Sequence, residues 1–145
     1  MATAHSDAFA RYSTAYRPTA NEEFMNPDQL AYFRAKLLAW KDEIRRESAE
    51  TVAELKNGPI QEADLNDRAS SETDWGIHLR TRDRQRKLIA KIDSALRRIE
   101  AGEYGFCEVS GEPISLARLE ARPIATMTVE AQERHERNER VSRDD

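Results

Sequence analysis

Hydrophobic residues in the first half of the chain follow the spacing of a coiled-coil helix. Helical periodicity begins after Asn26, which can cap a helix whose first position is Pro27. Apolar side chains then recur at spacings of 3, 4, 3 and 4, which is the spacing of a coiled-coil seam. The members of this seam are Leu30, Phe33, Leu37, Trp40 and Ile44. Beyond Ile44 the same positions become polar, and the sequence Asn57-Gly58-Pro59 predicts the end of the helix.

A second helix is predicted over residues 65 to 101, just before Gly102. Its apolar seam is Ile89, Ile92, Leu96 and Ile99, and the same register extended backwards meets Gln85, Arg82 and His78. The polar half of this helix therefore comes first. An antiparallel hairpin would pair the apolar start of the first helix with the apolar end of the second. About 30 residues at 1.5 Å each predict an arm on the order of 45 Å long, polar toward its tip.

Composition supports an elongated helical protein. Of 145 residues, 34% are charged and 39% hydrophobic, and five Gly and five Pro leave room for long helices. The single cysteine excludes an intrachain disulfide framework. No apolar run approaches the roughly 18 residues of a membrane span, and the first residues lack signal-peptide features, so we expect a cytoplasmic protein without a membrane partner.

The sequence offers few features of an enzyme. It has no glycine-rich phosphate loop, no nucleophile elbow and no metal motif, and its three histidines lack evident triad partners. A net charge of -4 also disfavours general coating of nucleic acid. We therefore predict that the chain is not an enzyme and has no resident cofactor.

Residues 104 to 131 are spaced like a four-cysteine zinc finger from which three cysteines are missing. The four ligand positions are occupied by Cys107, Ser110, Thr128 and Ala131. A closed structural zinc site needs four ligands, and alanine has no donor atom, so we predict no metal here. Apolar residues would then stabilise the finger in place of zinc. The candidates are Phe106, Val109, Ile114, Leu116, Leu119, Ile124, Met127 and Val129.

Charged residues at the predicted tip and along the second helix allow two interpretations each. At the tip, Asp64 can cap the second helix while Asp67 interacts with its N-terminal dipole, or both carboxylates can serve a function. The basic residues of the second helix can form a solvated face with i,i+4 pairs, such as Asp83 with Lys87, or can bind phosphate. The carboxylate-rich first helix lies alongside, which favours protein or small-phosphate contacts over DNA.

Three stretches of the chain resemble the DksA/TraR family of bacterial RNA polymerase regulators. They are the tip pattern D-x-x-D-x-A of residues 64–69, the shaft Leu-Arg-Thr-Arg-Asp-Arg-Gln-Arg-Lys-Leu-Ile-Ala-Lys-Ile of residues 79–92, and Arg-Leu-Glu-Ala-Arg-Pro of residues 118–123. The resemblance covers residues 22 to about 137. It implies that Asp64, Asp67 and Ala69 act near the active centre of RNA polymerase.

The same resemblance implies contacts with the rim of the polymerase secondary channel in its β′ subunit, or with guanosine tetraphosphate (ppGpp) bound at that interface. The matching positions are Arg80, Arg84, Lys87, Leu88, Lys91, Arg118, Arg122 and Gln132. An arginine fork suits a pyrophosphate because its contact is bidentate. Gln132 departs from the family, whose usual members have a lysine there. Loss of one charge-assisted contact would cost about 1.5 to 3 kcal/mol of binding free energy, which would weaken the response to ppGpp.

The expected fold is mainly α: a long antiparallel coiled-coil hairpin on a small globular domain. We divide the chain into an N-terminal arm (1–26), the hairpin (27–101, tip at 58–73), a degenerate DksA/TraR-type finger without zinc (102–131) and a C-terminal helix and tail (132–145). The globular domain would contain the arm, the finger and the C-terminal helix.

The resemblance implies a monomeric regulator that enters the secondary channel and destabilises promoter complexes together with ppGpp, without contacting DNA. Ribosomal RNA promoters would be repressed and some amino-acid biosynthesis promoters activated, as in the stringent response. Two alternatives stay open. One is a Gre-like modulator of elongation, whose tip carboxylates promote transcript cleavage. The other is a helical adaptor that dimerises through Leu30, Phe33, Leu37 and Trp40.

Overall fold

The computed structural model of the chain describes residues 16–57 and 65–144. Within these residues there are four helices: α1 (Pro27–Asn57), α2 (Leu65–Ala101), α3 (Leu116–Ala121) and α4 (Val129–Asp144). The described residues contain no strand, only an isolated antiparallel bridge between Phe106 and Pro113. The mainly α fold class is therefore confirmed. None of the helices in these two ranges has an apolar stretch long enough to cross a membrane.

Helices α1 and α2 pack against each other as an antiparallel hairpin. Lys41, in the first half of α1, forms an ion pair with Asp93, near the end of α2. Leu37 and Ile92 are fully buried between the helices, and Ile44 is 4% exposed. The apolar halves of the two helices therefore lie together, as the sequence predicted.

The seam of α2 differs by one residue from the predicted register at alternate positions. Ala95 is fully buried, whereas Leu96 and Ile89 are only partly buried beside the seam. Toward the tip, Thr81 is half-buried while the predicted seam residue Arg82 is exposed. The observed seam runs through residues 78, 81, 85, 88, 92, 95 and 99. An alanine is only weakly hydrophobic, so the pattern of large apolar residues predicted Leu96 rather than Ala95 as the seam residue.

The base of the hairpin is held to the finger by aromatic and polar contacts. Phe33 and Tyr104 are both fully buried, with ring centroids 5.6 Å apart. The Tyr104 hydroxyl donates a hydrogen bond to the Pro123 carbonyl at 2.7 Å. Lys36 of α1 donates to the backbone carbonyl of Glu120 at 2.7 Å and to its carboxylate at 2.6 Å. These contacts fix α3 relative to the hairpin.

The last part of the predicted arm, residues 16–26, packs on the start of α1. The Asn26 side-chain oxygen accepts a hydrogen bond from the backbone N–H of Gln29 at 2.9 Å, which confirms Asn26 as the helix cap. The side-chain oxygen of the buried Gln29 in turn accepts a hydrogen bond from the backbone N–H of Met25 at 2.8 Å. Phe24 contacts Phe106 edge to face, with centroids 5.3 Å apart. Residues 1–15 of the arm lie outside the described residues.

The apolar cluster of the finger is smaller than predicted. Ile114 and Leu119 are fully buried, and Leu116, Ile124 and Met127 pack partly buried against the core. The valines do not join them, because Val109 lies in an exposed turn and Val129 begins α4 on its outer side, with 65% and 46% of their surface exposed. Phe106 is 37% exposed and contacts Phe24 of the arm.

Candidate functional site

A pocket of about 440 Å³ lies where the end of α2, helix α3 and helix α4 meet. Four of the residues assigned to polymerase or ppGpp contact line it, namely Lys91, Arg118, Arg122 and Gln132. They come from three separate segments of the chain, since Lys91 belongs to α2, Arg118 to α3 and Gln132 to α4. The fold thus gathers into one cavity residues that are distant in the sequence.

Local structure fixes the two arginines of this pocket. The Ser115 hydroxyl accepts a hydrogen bond from the Arg118 amide at 3.2 Å and so caps α3. The Arg118 guanidinium donates through Nε to the Met127 carbonyl at 2.9 Å, which leaves its terminal nitrogens for a ligand. Arg122 ends α3, and its amide donates to the Arg118 carbonyl at 2.7 Å.

Several lining residues were not assigned to the site from the sequence. They are Ser94 and Arg98 from α2, and His135, Glu136 and Glu139 from α4. Lys91, Ser94 and Arg98 follow i, i+3, i+7 spacing, so they share one helix face, and this periodicity could have revealed the α2 members. Nothing comparable in the sequence shows that α4 closes the cavity.

The electrostatics of the pocket are uneven. Lys91, Arg98, Arg118 and Arg122 make the side formed by α2 and α3 positive, whereas α4 contributes carboxylates. The side-chain amide of Gln132 donates a hydrogen bond to the Glu136 carboxylate at 3.1 Å. The His135 Nε2 atom lies 3.1 Å from the Glu139 carboxylate. The arrangement suits a polyanion bound against α2 and α3, with Gln132 at the boundary between the positive and negative sides.

The remaining shaft residues do not line this pocket. Arg80 and Arg84 are exposed farther along α2 toward the tip. Lys87 is exposed and pairs with Asp83 at 3.1 Å, which agrees with the predicted i,i+4 pair. Leu88 is partly buried against the hairpin core, so only part of its side chain is open to a partner.

The described residues include only part of the predicted tip. Asp67 and Ala69 lie in the first turns of α2, which begins at Leu65. Asp64 falls outside the described residues, as does most of the segment that joins the two helices. The proposed action of these three residues stays a prediction.

The four positions that correspond to zinc ligands lie close together but do not fit a metal. Cys107 is 3% exposed and Ala131 is 2% exposed. The Thr128 hydroxyl accepts a hydrogen bond from the Ala131 amide at 3.2 Å and caps α4. Within residues 16–57 and 65–144, no group of three or more His, Cys, Asp or Glu residues is arranged to hold a metal ion. The residues of this site therefore do not suit the zinc of a four-cysteine finger.

Hydrogen bonds surround the remaining thiol. Burial alone would raise the pKa of Cys107, but the Ser110 hydroxyl and the backbone amides of Ser110, Thr128 and Val109 lower that pKa to about 6. The turn that would present a thiolate to zinc in a four-cysteine finger here supplies hydrogen-bond donors to the same sulfur.

Comparison with known proteins assigns the chain to a family. Residues 29–99 match the N-terminal domain of the DnaK suppressor protein DksA, and residues 102–137 match the prokaryotic dksA/traR C4-type zinc finger. A relative from Caulobacter vibrioides, named RNA polymerase-binding transcription factor DksA, is 70% identical over 130 residues, which are 90% of this chain and 92% of the relative. The chain belongs to the DksA family.

Other DksA proteins support the same assignment. The Escherichia coli K12 protein of the same name is 41% identical over 115 residues, covering 79% of this chain and 76% of that protein. The solved structure of transcription factor DksA2 from Pseudomonas aeruginosa aligns with a TM-score of 0.75 and 39% identity over 94% of this chain and 99% of that one. Both the family and the coiled-coil fold predicted from the sequence are thus confirmed.

Proposed function

We propose that this protein regulates transcription by binding bacterial RNA polymerase. The observation that carries the proposal is the 70% identity, over 90% of the chain, to a relative named as an RNA polymerase-binding transcription factor. Because its relatives are transcription factors, the protein is not an enzyme. With polymerase as its partner, the protein would act in the bacterial cytoplasm.

The hairpin is the part that would enter the polymerase, through the secondary channel. Helix α2 has 37 residues, which corresponds to a rod about 55 Å long. Its seam becomes polar toward the tip, where Thr81 and Gln85 replace the isoleucines of the base. A wet, narrow channel suits such a rod better than a packed core does. Asp64, Asp67 and Ala69 would then reach the active-centre region and destabilise promoter complexes.

The pocket at the base would bind ppGpp together with the polymerase. A ligand with two pyrophosphate groups matches a wall formed by Lys91, Arg98, Arg118 and Arg122. Gln132 can contribute a hydrogen bond but no charge. We therefore expect a weaker response to ppGpp than in family members that carry a lysine at this position.

Folding without zinc is a further part of the proposal. The Thr128 cap, the hydrogen bonds to Cys107 and the burial of Ile114 and Leu119 would together replace the metal as a source of stability. The regulator would thus work where zinc is scarce or where oxidants attack zinc thiolates.

On promoters, the protein would act as its resemblance to the family implies. Ribosomal RNA promoters, whose open complexes are short-lived, would be repressed, and some amino-acid biosynthesis promoters activated. No DNA contact is required for this. A dimeric adaptor is disfavoured, because Phe33 and Leu37, through which it would dimerise, are fully buried within one chain.

Competition for the channel tests the proposal. Purified polymerase should bind the protein with one-to-one stoichiometry, and a Gre-type factor of hairpin shape should displace it. The protein should also shorten the lifetime of open complexes at a ribosomal RNA promoter without cleaving the transcript. Binding that a Gre-type factor leaves unchanged would contradict the secondary channel as the site.

A further inference from the structure

A stripe of apolar and basic residues runs along the outer side of α2. Its members, Trp75, Leu79, Arg82 and Arg86, follow spacings of 4, 3 and 4, so they share one helix face. We call this set the outer stripe. It was not among the site residues predicted from the sequence, and it does not line the pocket.

Hairpin packing does not account for the outer stripe. Trp75 is 49% exposed and Leu79 46% exposed, although both are large apolar residues. The neighbouring seam residues Thr81 and Gln85 are polar, yet they are the ones half-buried toward α1. At about 100° per residue, the stripe lies roughly 100° away from the seam. Large apolar side chains are therefore held out of the hairpin while polar ones face into it.

The basic half of the stripe has its charge available. Arg82 and Arg86 are exposed and form no ion pair within the described parts of the chain. The nearest carboxylate in sequence, Asp83, is instead paired with Lys87. Tryptophan and arginine are both enriched among the residues that dominate protein-protein binding. The charge of the stripe selects a partner surface that carries carboxylates.

This stripe is separate from the face on which the shaft contacts were predicted. Arg80, Arg84 and Lys91 lie at i, i+4 and i+11, on a side of α2 roughly 150° from the outer stripe. That side leads to the pocket, which Lys91 lines. A hairpin inserted in a channel would have wall on more than one flank, and α2 carries exposed basic residues on two flanks.

We propose that the outer stripe docks on an acidic protein surface of RNA polymerase, opposite the surface that meets Arg80 and Arg84. Trp75 and Leu79 would bury their exposed surface there, and Arg82 and Arg86 would pair with carboxylates. The proposal rests on the proposed function, since it names a second contact of the same hairpin with the same partner. A protein surface is preferred to a nucleic-acid strand because half of the stripe is aliphatic or indole surface and the chain has a net charge of -4.

Paired substitutions in the full chain test the apolar half. Trp75→Ala with Leu79→Ala should weaken binding to core polymerase at least about tenfold, as expected for loss of a tryptophan anchor. Val109→Ala with Val141→Ala is a matched control, since these valines are 65% and 62% exposed and belong to the finger and to α4 rather than to the hairpin. The control pair should bind like the wild type. Thermal unfolding of both pairs should be unchanged, because none of the four side chains is in the core.

Charge reversal and cross-linking test the basic half and the partner. Arg82→Glu with Arg86→Glu should weaken binding at least as strongly, and more so at low salt. A photo-reactive amino acid at Leu79 should cross-link to a polymerase subunit at a site rich in Asp and Glu.

The outcomes separate this inference from the proposed function. If wild-type protein does not bind polymerase, the proposed function fails and the stripe contact with it. If the wild type binds and both stripe variants bind equally well, only the stripe contact is overturned. A loss of affinity confined to elongation complexes that carry RNA, or a cross-link to nucleic acid, also overturns it.

Discussion

At the scale of single residues, Cys107 occupies a zinc-ligand position and is surrounded by hydrogen-bond donors. Its pKa falls from 9.0 to about 6, because hydrogen bonds from Ser110, Thr128 and Val109 outweigh the effect of burial. The sequence identified Cys107 as the one cysteine present at four zinc-ligand positions. It did not predict the lowered pKa, because the direction of backbone amides depends on turn geometry.

This pKa has a consequence for stability. A lowered folded pKa stabilises the folded state fully above the unfolded value of 9.0, and the contribution disappears as pH falls through about 6. The gap in unfolding free energy between wild type and Cys107→Ala should therefore widen between pH 6 and pH 9. Urea denaturation under a reducing agent at several pH values measures it. A gap that stays constant over this range would show that no thiolate forms in the fold.

Gln132 sets the expected response to ppGpp. Gln132→Lys adds a positive charge beside Arg118 and Arg122, so it should lower the ppGpp concentration needed for half-maximal inhibition, on the order of tenfold. Glu133→Gln changes the net charge equally but lies outside the pocket, and it should have little effect. Transcription assays over a ppGpp titration give both values. Equal responses of the two variants would argue for a general charge effect rather than a site.

At the scale of elements, α4 depends on a cap at Thr128, a position that corresponds to a zinc ligand. Thr128→Ala removes the hydroxyl that accepts from the Ala131 amide, and should lower the free energy of unfolding by about 1 kcal/mol. Thr128→Ser keeps the acceptor and should retain most of the stability. Chemical denaturation compares the three proteins. If the serine and alanine variants are equally destabilised, the threonine acts through packing rather than as a cap.

Helix ends were predictable because they depend on local signals. Asn26 and Pro27 marked the start of α1, and Gly102 followed the end of α2. The seam of α2 was predicted correctly at Ile92 and Ile99 but missed Ala95, because an alanine shows little in a hydrophobic pattern. The pocket could not be predicted as a cavity, since Lys91, Arg118 and Gln132 meet only through tertiary packing.

At the scale of the whole molecule, the proposal of a zinc-free regulator predicts an unusual response to chelators. Because the donor set lacks three cysteines, treatment with EDTA should leave the melting temperature unchanged. Protein purified from zinc-supplemented cells should contain far less than one equivalent of metal. About one equivalent of tightly bound zinc, or unfolding on chelation, would contradict this part of the account.

The shape of the molecule could be predicted from the hydrophobic pattern, whereas its effect on RNA polymerase could not. Two polar half-seams and a low apolar content predicted a long hairpin, and α1 and α2 form one. What the tip does inside a polymerase depends on a partner whose surface is not encoded in this chain. Membership of the DksA family supplies that part of the account.

The most direct test of the central claim is transcription in vitro from a ribosomal RNA promoter by bacterial RNA polymerase. Wild-type protein and Asp67→Asn are compared, each with and without ppGpp, and polymerase binding is measured in parallel. We predict that the wild type inhibits, that ppGpp deepens the inhibition, and that Asp67→Asn binds polymerase but inhibits much less. Full inhibition by Asp67→Asn, or no inhibition by a wild-type protein that does bind, would contradict a mechanism that acts through the tip.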